Sequence, residues 1–230
     1  MKNATPFLAV LATLTGFIGD AQAATITETL TFRQGLDGYV GTSDTYLDNT
    51  DPNNAHGSEA TIVNGGNSGR LGLVRFDDIF GGGANQVPLV PSLTIDSATL
   101  FLNAVAGNAG TTNVESVQGA WDESSTRSGV INALTRTDIG DFFPNIGQNS
   151  IDVTAVVQDW ADGTLANDGF AFFRSGPPDQ EFASSEYTAD PTLRPTLEVT
   201  FTYIPEPGAA GLLGLTGAAF RKAWRERIPH

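Results

Sequence analysis

The chain has 230 residues, with 26 acidic and 12 basic side chains, a net charge of −14 at pH 7, no cysteine and two histidines. These figures argue against a disulfide framework and against a zinc site of the usual nitrogen–sulfur type. So acidic a surface also repels nucleic acid and anionic lipid, and no nucleic-acid partner is expected.

In chain order, Lys2 supplies a positive start, residues 6–18 an apolar run, and Ala21-Gln22-Ala23 an A-x-A cleavage signal. Together they read as a secretory signal peptide, residues 1–23, removed after Ala23 by the export machinery and forming no part of the fold. The body, residues 24–204, carries seven arginines, no lysine and twenty-three acids, a net charge of −16. Its length fits one domain, in which roughly 70% of the unfolded surface is buried.

The body reads as short strands joined by turns. Ile26, Leu30 and Phe32 suggest a first strand. Leu71, Leu73, Val74 and Phe76 change parity partway, which indicates a bulge or a strand buried on both faces. Ala98, Leu100, Leu102 and Ala104 alternate with mostly polar neighbours. Val153, Val156, Val157 and Trp160 recur at spacings of three and four, so one or two helical turns are expected there, with Trp160 facing the core. Phe170 and Phe172 follow the turn Asn167-Asp168-Gly169, and Leu197, Val199, Phe201 and Tyr203 alternate with Thr and Glu in a last strand. Gly, Asn, Asp and Pro clusters separate these runs. The expected fold is all-β, an antiparallel β-sandwich or jelly roll with one short helix.

After the body come Pro205-Glu206-Pro207, thirteen small and apolar residues to Phe220, and the cations Arg221, Lys222, Arg225 and Arg227. Thirteen residues are short of the roughly 17–25 a full span needs. The terminal cations would hold that end on the cytoplasmic side. The alternative is an amphipathic helix packed on the domain, but glycines at 208, 211, 214 and 217 weaken a soluble helix by about 1 kcal/mol each. Residues 205–230 resemble the PEP-CTERM sorting tail of exopolysaccharide-producing Gram-negative bacteria. The resemblance implies transient membrane insertion through this segment, cleavage near Pro205, Glu206 and Pro207 by an exosortase, and delivery to the cell surface or extracellular matrix.

A second resemblance spans nearly the whole body. Its residues are Asp44, Tyr46 and Leu47, then Asn54, Gly57 and Ser58, then the run from Arg70 to Asp77. They continue with the run 95–102, Trp121-Asp122-Glu123, Ile151-Asp152-Val153-Thr154 leading to Trp160, Asn167-Asp168-Gly169, the run 182–186 and the run 195–199. In order and spacing they resemble the DNRLRE domain, a β-sandwich of secreted bacterial proteins that includes alginate-type carbohydrate-binding modules. The resemblance implies an exported polysaccharide-binding module.

Recognisable catalytic constellations are missing. His56 is the only histidine of the body and sits in a turn-rich stretch, where it reads as a surface loop residue. No G-x-S-x-G elbow is present. Gly81-Gly82-Gly83 is not followed by the G-K-[ST] of a phosphate loop. Asp122, Glu123, Asp159 and Asp162 are carboxylates that a glycosidase could pair.

Sugar binding needs flat aromatic surface and polar groups that satisfy hydroxyls. Trp121, Tyr46, Phe142 and Phe143 are the candidates, with Tyr39 and Tyr187 behind them; each could instead fill core. Arg70 and Arg75 could grip a uronate, or pair with Asp77, Asp78 or Glu186. Asp48 and Asp51 offer oxygen ligands for calcium, although Asx-turn chemistry explains them equally well. Three readings follow: a non-catalytic polysaccharide-binding module, a structural matrix protein, and a polysaccharide-active enzyme. Under the first, neutral glycans are preferred, because the body's charge repels uronates unless calcium bridges them.

Overall fold

The computed structural model describes residues 24–205 except 67–68, 108–109 and 175. The signal segment with Ala21 and Ala23 lies outside the described residues, as do Glu206, Pro207 and the rest of the tail. Among the described residues no helix is long and apolar enough to cross a membrane.

Residues 25–204 form one unit of two antiparallel sheets. The first contains β1 (Ile26–Phe32), β11 (Thr196–Tyr203), β5 (Thr94–Gly107), β10 (Gly176–Ala183) and β3 (Thr61–Gly66) in that order, with β8 (Gly147–Asp152) paired to β5. The second runs β2 (Thr42–Leu47), β4 (Leu71–Phe76), β9 (Phe170–Phe173), β6 (Thr112–Gln118) and β7 (Thr135–Phe142). This is the expected all-β sandwich.

Alternation builds the interior. Leu197, Val199 and Phe201 of β11, and Ala98, Leu100 and Leu102 of β5, point into one core with Phe76, Phe172 and Phe182. The parity break at the start of β5, where the β11 register skips Asp96, turns Ile95 inward too. There α2 (Thr154–Ala161) takes over the ladder's work: Gln158 Oε1 accepts from the Ile95 amide, and Thr154 Oγ1 from the Ala98 amide, each at 2.8 Å. Trp160 is 6% exposed and packs on Phe170 at 5.0 Å between ring centroids. The helix and its core-facing tryptophan therefore agree with the spacing of the valines. A second helix, α1 (Arg127–Val130), is a single turn that the sequence pattern did not signal.

The strand β4 is buried on both faces, with no bulge in its pairing to β2. Val74 and Phe76 enter the main core, whereas Leu71 and Leu73 face a second cluster with Leu47, Val117, Trp121 and Ala171. Val130, Ile131 and Leu134, in and just after α1, cover that cluster. Gly72 lies against Phe172: a Cβ there would stand 2.4 Å from the ring.

Candidate functional site

The structure separates the candidate aromatics. Trp121 is 5% exposed and cannot serve as a platform: its ring lies in the cluster under α1, its Nε1 donates to Asp168 O at 2.8 Å, and the Arg75 guanidinium sits 5.0 Å from its centroid. Tyr46 is also buried, stacked on His56 at 4.1 Å, with its hydroxyl donating to Glu59. The expectation of exposed rings at 46 and 121 is thus corrected, because β2 is covered on both faces and the Trp121 side chain turns into the cluster under α1. His56 is corrected as well: its side chain is 10% exposed, and Nδ1 meets Glu59 Oε1 at 2.7 Å. Phe142 is half-buried against Phe182, so only Phe143, with Ile146 nearby in the chain, stands in solvent.

The charged candidates are mostly engaged by the protein itself. Burial works against the charge of Asp48, but the Thr50 amide and hydroxyl and the Arg70 guanidinium hold its carboxyl down at about 2. Asp51 accepts from Asn54 Nδ2. Both therefore act as turn and ion-pair residues here. Arg75 pairs with Asp77, as one of the two expected alternatives had it, while Arg70 chooses Asp48 and Asp179. Among the glycosidase candidates, Asp122 Oδ1 accepts from the Ser124 amide and from the Ser124 and Ser125 hydroxyls, Asp159 accepts from Thr164 and Asp162 accepts from Gln158.

Glu123 belongs to a carboxyl group that sequence reasoning missed. Asp44, on β2, is 1% exposed, and its Oδ2 accepts from the Ser185 amide at 2.6 Å. Burial pushes its carboxyl up to about 8 against the pull of that amide, and Glu186 and Glu123 add to the rise. Glu123 is raised too, by burial first and then by Glu186. Nothing in a Thr-Ser-Asp-Thr strand signals that its acid is buried.

A groove forms where the loop after β1 meets the loop after β4. Two adjoining depressions of about 290 and 200 Å³ share Asp37, Tyr39 and Asn85 as walls. Among the described residues, the three non-glycine residues with left-handed backbone are Asp37, Asp78 and Asn85, and all three line the larger depression. Such conformations cost some backbone energy and concentrate at binding sites. Tyr39 packs edge-on to Phe32 and donates to Asp77 O; burial, reinforced by Asp77 and Asp78, raises its phenol well above the ordinary value. Its proton is therefore fixed, and what it offers a ligand is a ring. Val40, 74% exposed, extends the apolar surface. The side chains of Asp37, Asp78 and Asn85 are exposed and make no hydrogen bond among the described residues, so they remain available to hydroxyl groups. Tyr39 was visible in the sequence as an aromatic candidate; the partners that make it a groove come from a distant loop.

Among the described residues no group of three or more His, Cys, Asp and Glu side chains is placed to hold a metal ion. Compared with protein-family models and with curated proteins, the chain matches none.

Proposed function

We propose that the chain is an exported, non-catalytic surface or matrix protein whose sandwich binds polysaccharide, sorted by an exosortase acting near Pro205. The signal segment, the sorting-type tail and the resemblance of the body to secreted sugar-binding sandwiches support export and binding. The observation that carries the binding reading is the Tyr39 groove, an apolar strip flanked by hydroxyl-pairing carboxylate and amide groups. Asp37 and Asp78 on its walls, within a body of charge −16, favour a neutral glycan over a uronate.

Affinity electrophoresis of the full chain in mild detergent tests this, through gels containing dextran, mannan, xylan or alginate, with calcium and with chelator. The expected result is retardation by a neutral polysaccharide, unchanged by chelator, with no release of reducing ends. The inward packing of Trp121 and Tyr46 favours a second reading, a sandwich that serves only structure. Absence of retardation in every gel is the outcome that reading requires, and release of reducing ends would establish an enzyme.

A further inference from the structure

Among the described residues, no arginine, lysine or histidine lines either depression of the Tyr39 groove. Two carboxylates line the larger one, Asp37 from the loop after β1 and Asp78 from the turn after β4. The neighbouring Asp77 is compensated, because Arg75 meets it at 2.7 Å. Asp37 and Asp78 have no basic partner among the described residues. They therefore set two uncompensated negative charges about one aromatic ring, in a cleft whose walls concentrate their field.

The protein's own bonds hold this arrangement. Gln86 Nε2 donates to Asp78 O at 2.9 Å, and Gln86 Oε1 accepts from the Gly83 amide at 2.8 Å. One side chain thus ties the loop that carries Asn85 to the turn that carries Asp78. It also accounts for the run Gly81-Gly82-Gly83. A Cβ on Gly81 would stand 2.4 Å from Gln86 Oε1, and one on Gly83 2.8 Å from it, so the amide lies where larger residues would intrude. On the other wall the Tyr39 hydroxyl donates to Asp77 O, and a Cβ on Gly41 would stand 2.8 Å from that hydroxyl. The ring and the backbone under both carboxylates are in place before a ligand arrives, which lowers the entropy cost of binding.

The ligand class follows from charge and shape. A group facing a tyrosine ring and two acids is best matched by a cation, which gains from the carboxylates and from the negative face of the ring together. Calcium takes roughly six to eight oxygen ligands, more than two carboxylates on an open wall supply. An ammonium group donates up to three hydrogen bonds, and Asp37, Asp78 and Asn85 all bring side-chain oxygens to the same depression. The exposed Val40 beside them offers apolar surface to the C–H face of the sugar ring. On a glycan the matching group is a free amine on a ring carbon. Acetylation removes its charge, as it does for lysine.

We propose that the Tyr39 groove recognises an amino sugar with a free ammonium group, set in an otherwise uncharged polysaccharide. The proposal rests on the groove being the glycan site and narrows its ligand. Hexamers of β-1,4-linked glucosamine, N-acetylglucosamine and glucose share one backbone and differ at a single substituent. Calorimetry with the three, on the full chain in mild detergent at pH 6 and physiological salt, isolates the charge and screens long-range attraction. A sugar amine is protonated at that pH, since its protein analogue, the α-amino group, titrates at roughly 8. The glucosamine hexamer should bind at least about tenfold tighter than the other two. Asp37→Asn and Asp78→Asn should each remove most of that advantage and leave the N-acetylglucosamine hexamer bound as in the parent. Both positions have left-handed backbone, which asparagine adopts readily, so both variants should fold. Asp141→Asn, exposed on the far edge strand β7, makes the same change in net charge and should keep the advantage. Equal affinity for the three hexamers would overturn the proposal and leave the groove reading standing. An advantage that survives both groove variants, or that falls as far in Asp141→Asn, would belong to the body's overall charge and overturn the proposal as well. Absence of binding by all three would overturn the groove reading with it.

Discussion

Asp44→Asn should remove most of the stability loss that the parent shows steadily between pH 5 and 8. The Asp44 carboxyl lies at about 8 in the folded protein against an ordinary value of 3.8. Between those values the folded state holds a proton that the unfolded chain releases. Stability is therefore greatest below the unfolded value and falls as pH rises towards the folded one. The slope is up to roughly 1.4 kcal/mol per pH unit, so from pH 5 to 7 the loss is about 2–3 kcal/mol. That is a large part of the roughly 5–15 kcal/mol typical of a domain. Glu123, also raised, adds to the same trend. Asp48, Asp122, Asp152 and Asp190, all lowered, act in the opposite sense, and their contribution is lost only as pH falls below this window. Asparagine keeps an acceptor for the Ser185 amide and carries no charge. Urea unfolding at pH 5, 6, 7 and 8 reads the effect as a shift in midpoint at constant slope. Flat stability in the parent, rising stability with pH, or an unchanged trend in the variant would refute the assignment of a buried, protonated Asp44.

Other perturbations follow from packing and from the ends of the chain. Trp160→Ala should cost about 3–5 kcal/mol in urea unfolding, because a ring packed on Phe170 leaves a cavity. Gly72→Ala should cost about 1–3 kcal/mol, since the new methyl meets the Phe172 ring and both strands around it are buried. Deleting residues 205–230 should leave the melting temperature of the body unchanged while abolishing delivery to the surface; a large drop would mean that Leu212, Leu213 or Phe220 packs into the domain. Mass spectrometry of exported protein should find Ala24 as the first residue.

Strands whose side chains divide cleanly between core and solvent were legible: β11 and β5 announce themselves by period two, and α2 by the three-and-four spacing that ends at Trp160. Where an element is covered on both faces, the signal failed. β2 is polar in sequence yet buries Asp44, Thr45 and Tyr46, and Trp121 disappears under a single helical turn too short to leave a period. The Tyr39 groove was illegible for another reason. It is assembled from segments far apart in the chain, Asp37 with Asn85, and only strand pairing decides that they meet.

The central claim, polysaccharide binding at the Tyr39 groove, is tested most directly by Val40→Glu. Val40 is 74% exposed, so the change should leave stability within about 0.5 kcal/mol. It places a charge on the apolar strip of the groove. Titration calorimetry with the neutral polysaccharide that retards the parent should show affinity reduced at least about tenfold in Val40→Glu, with Phe143→Ala close to the parent. Unchanged affinity in Val40→Glu, or a loss confined to Phe143→Ala, would contradict the account and move the site to the loop between β7 and β8.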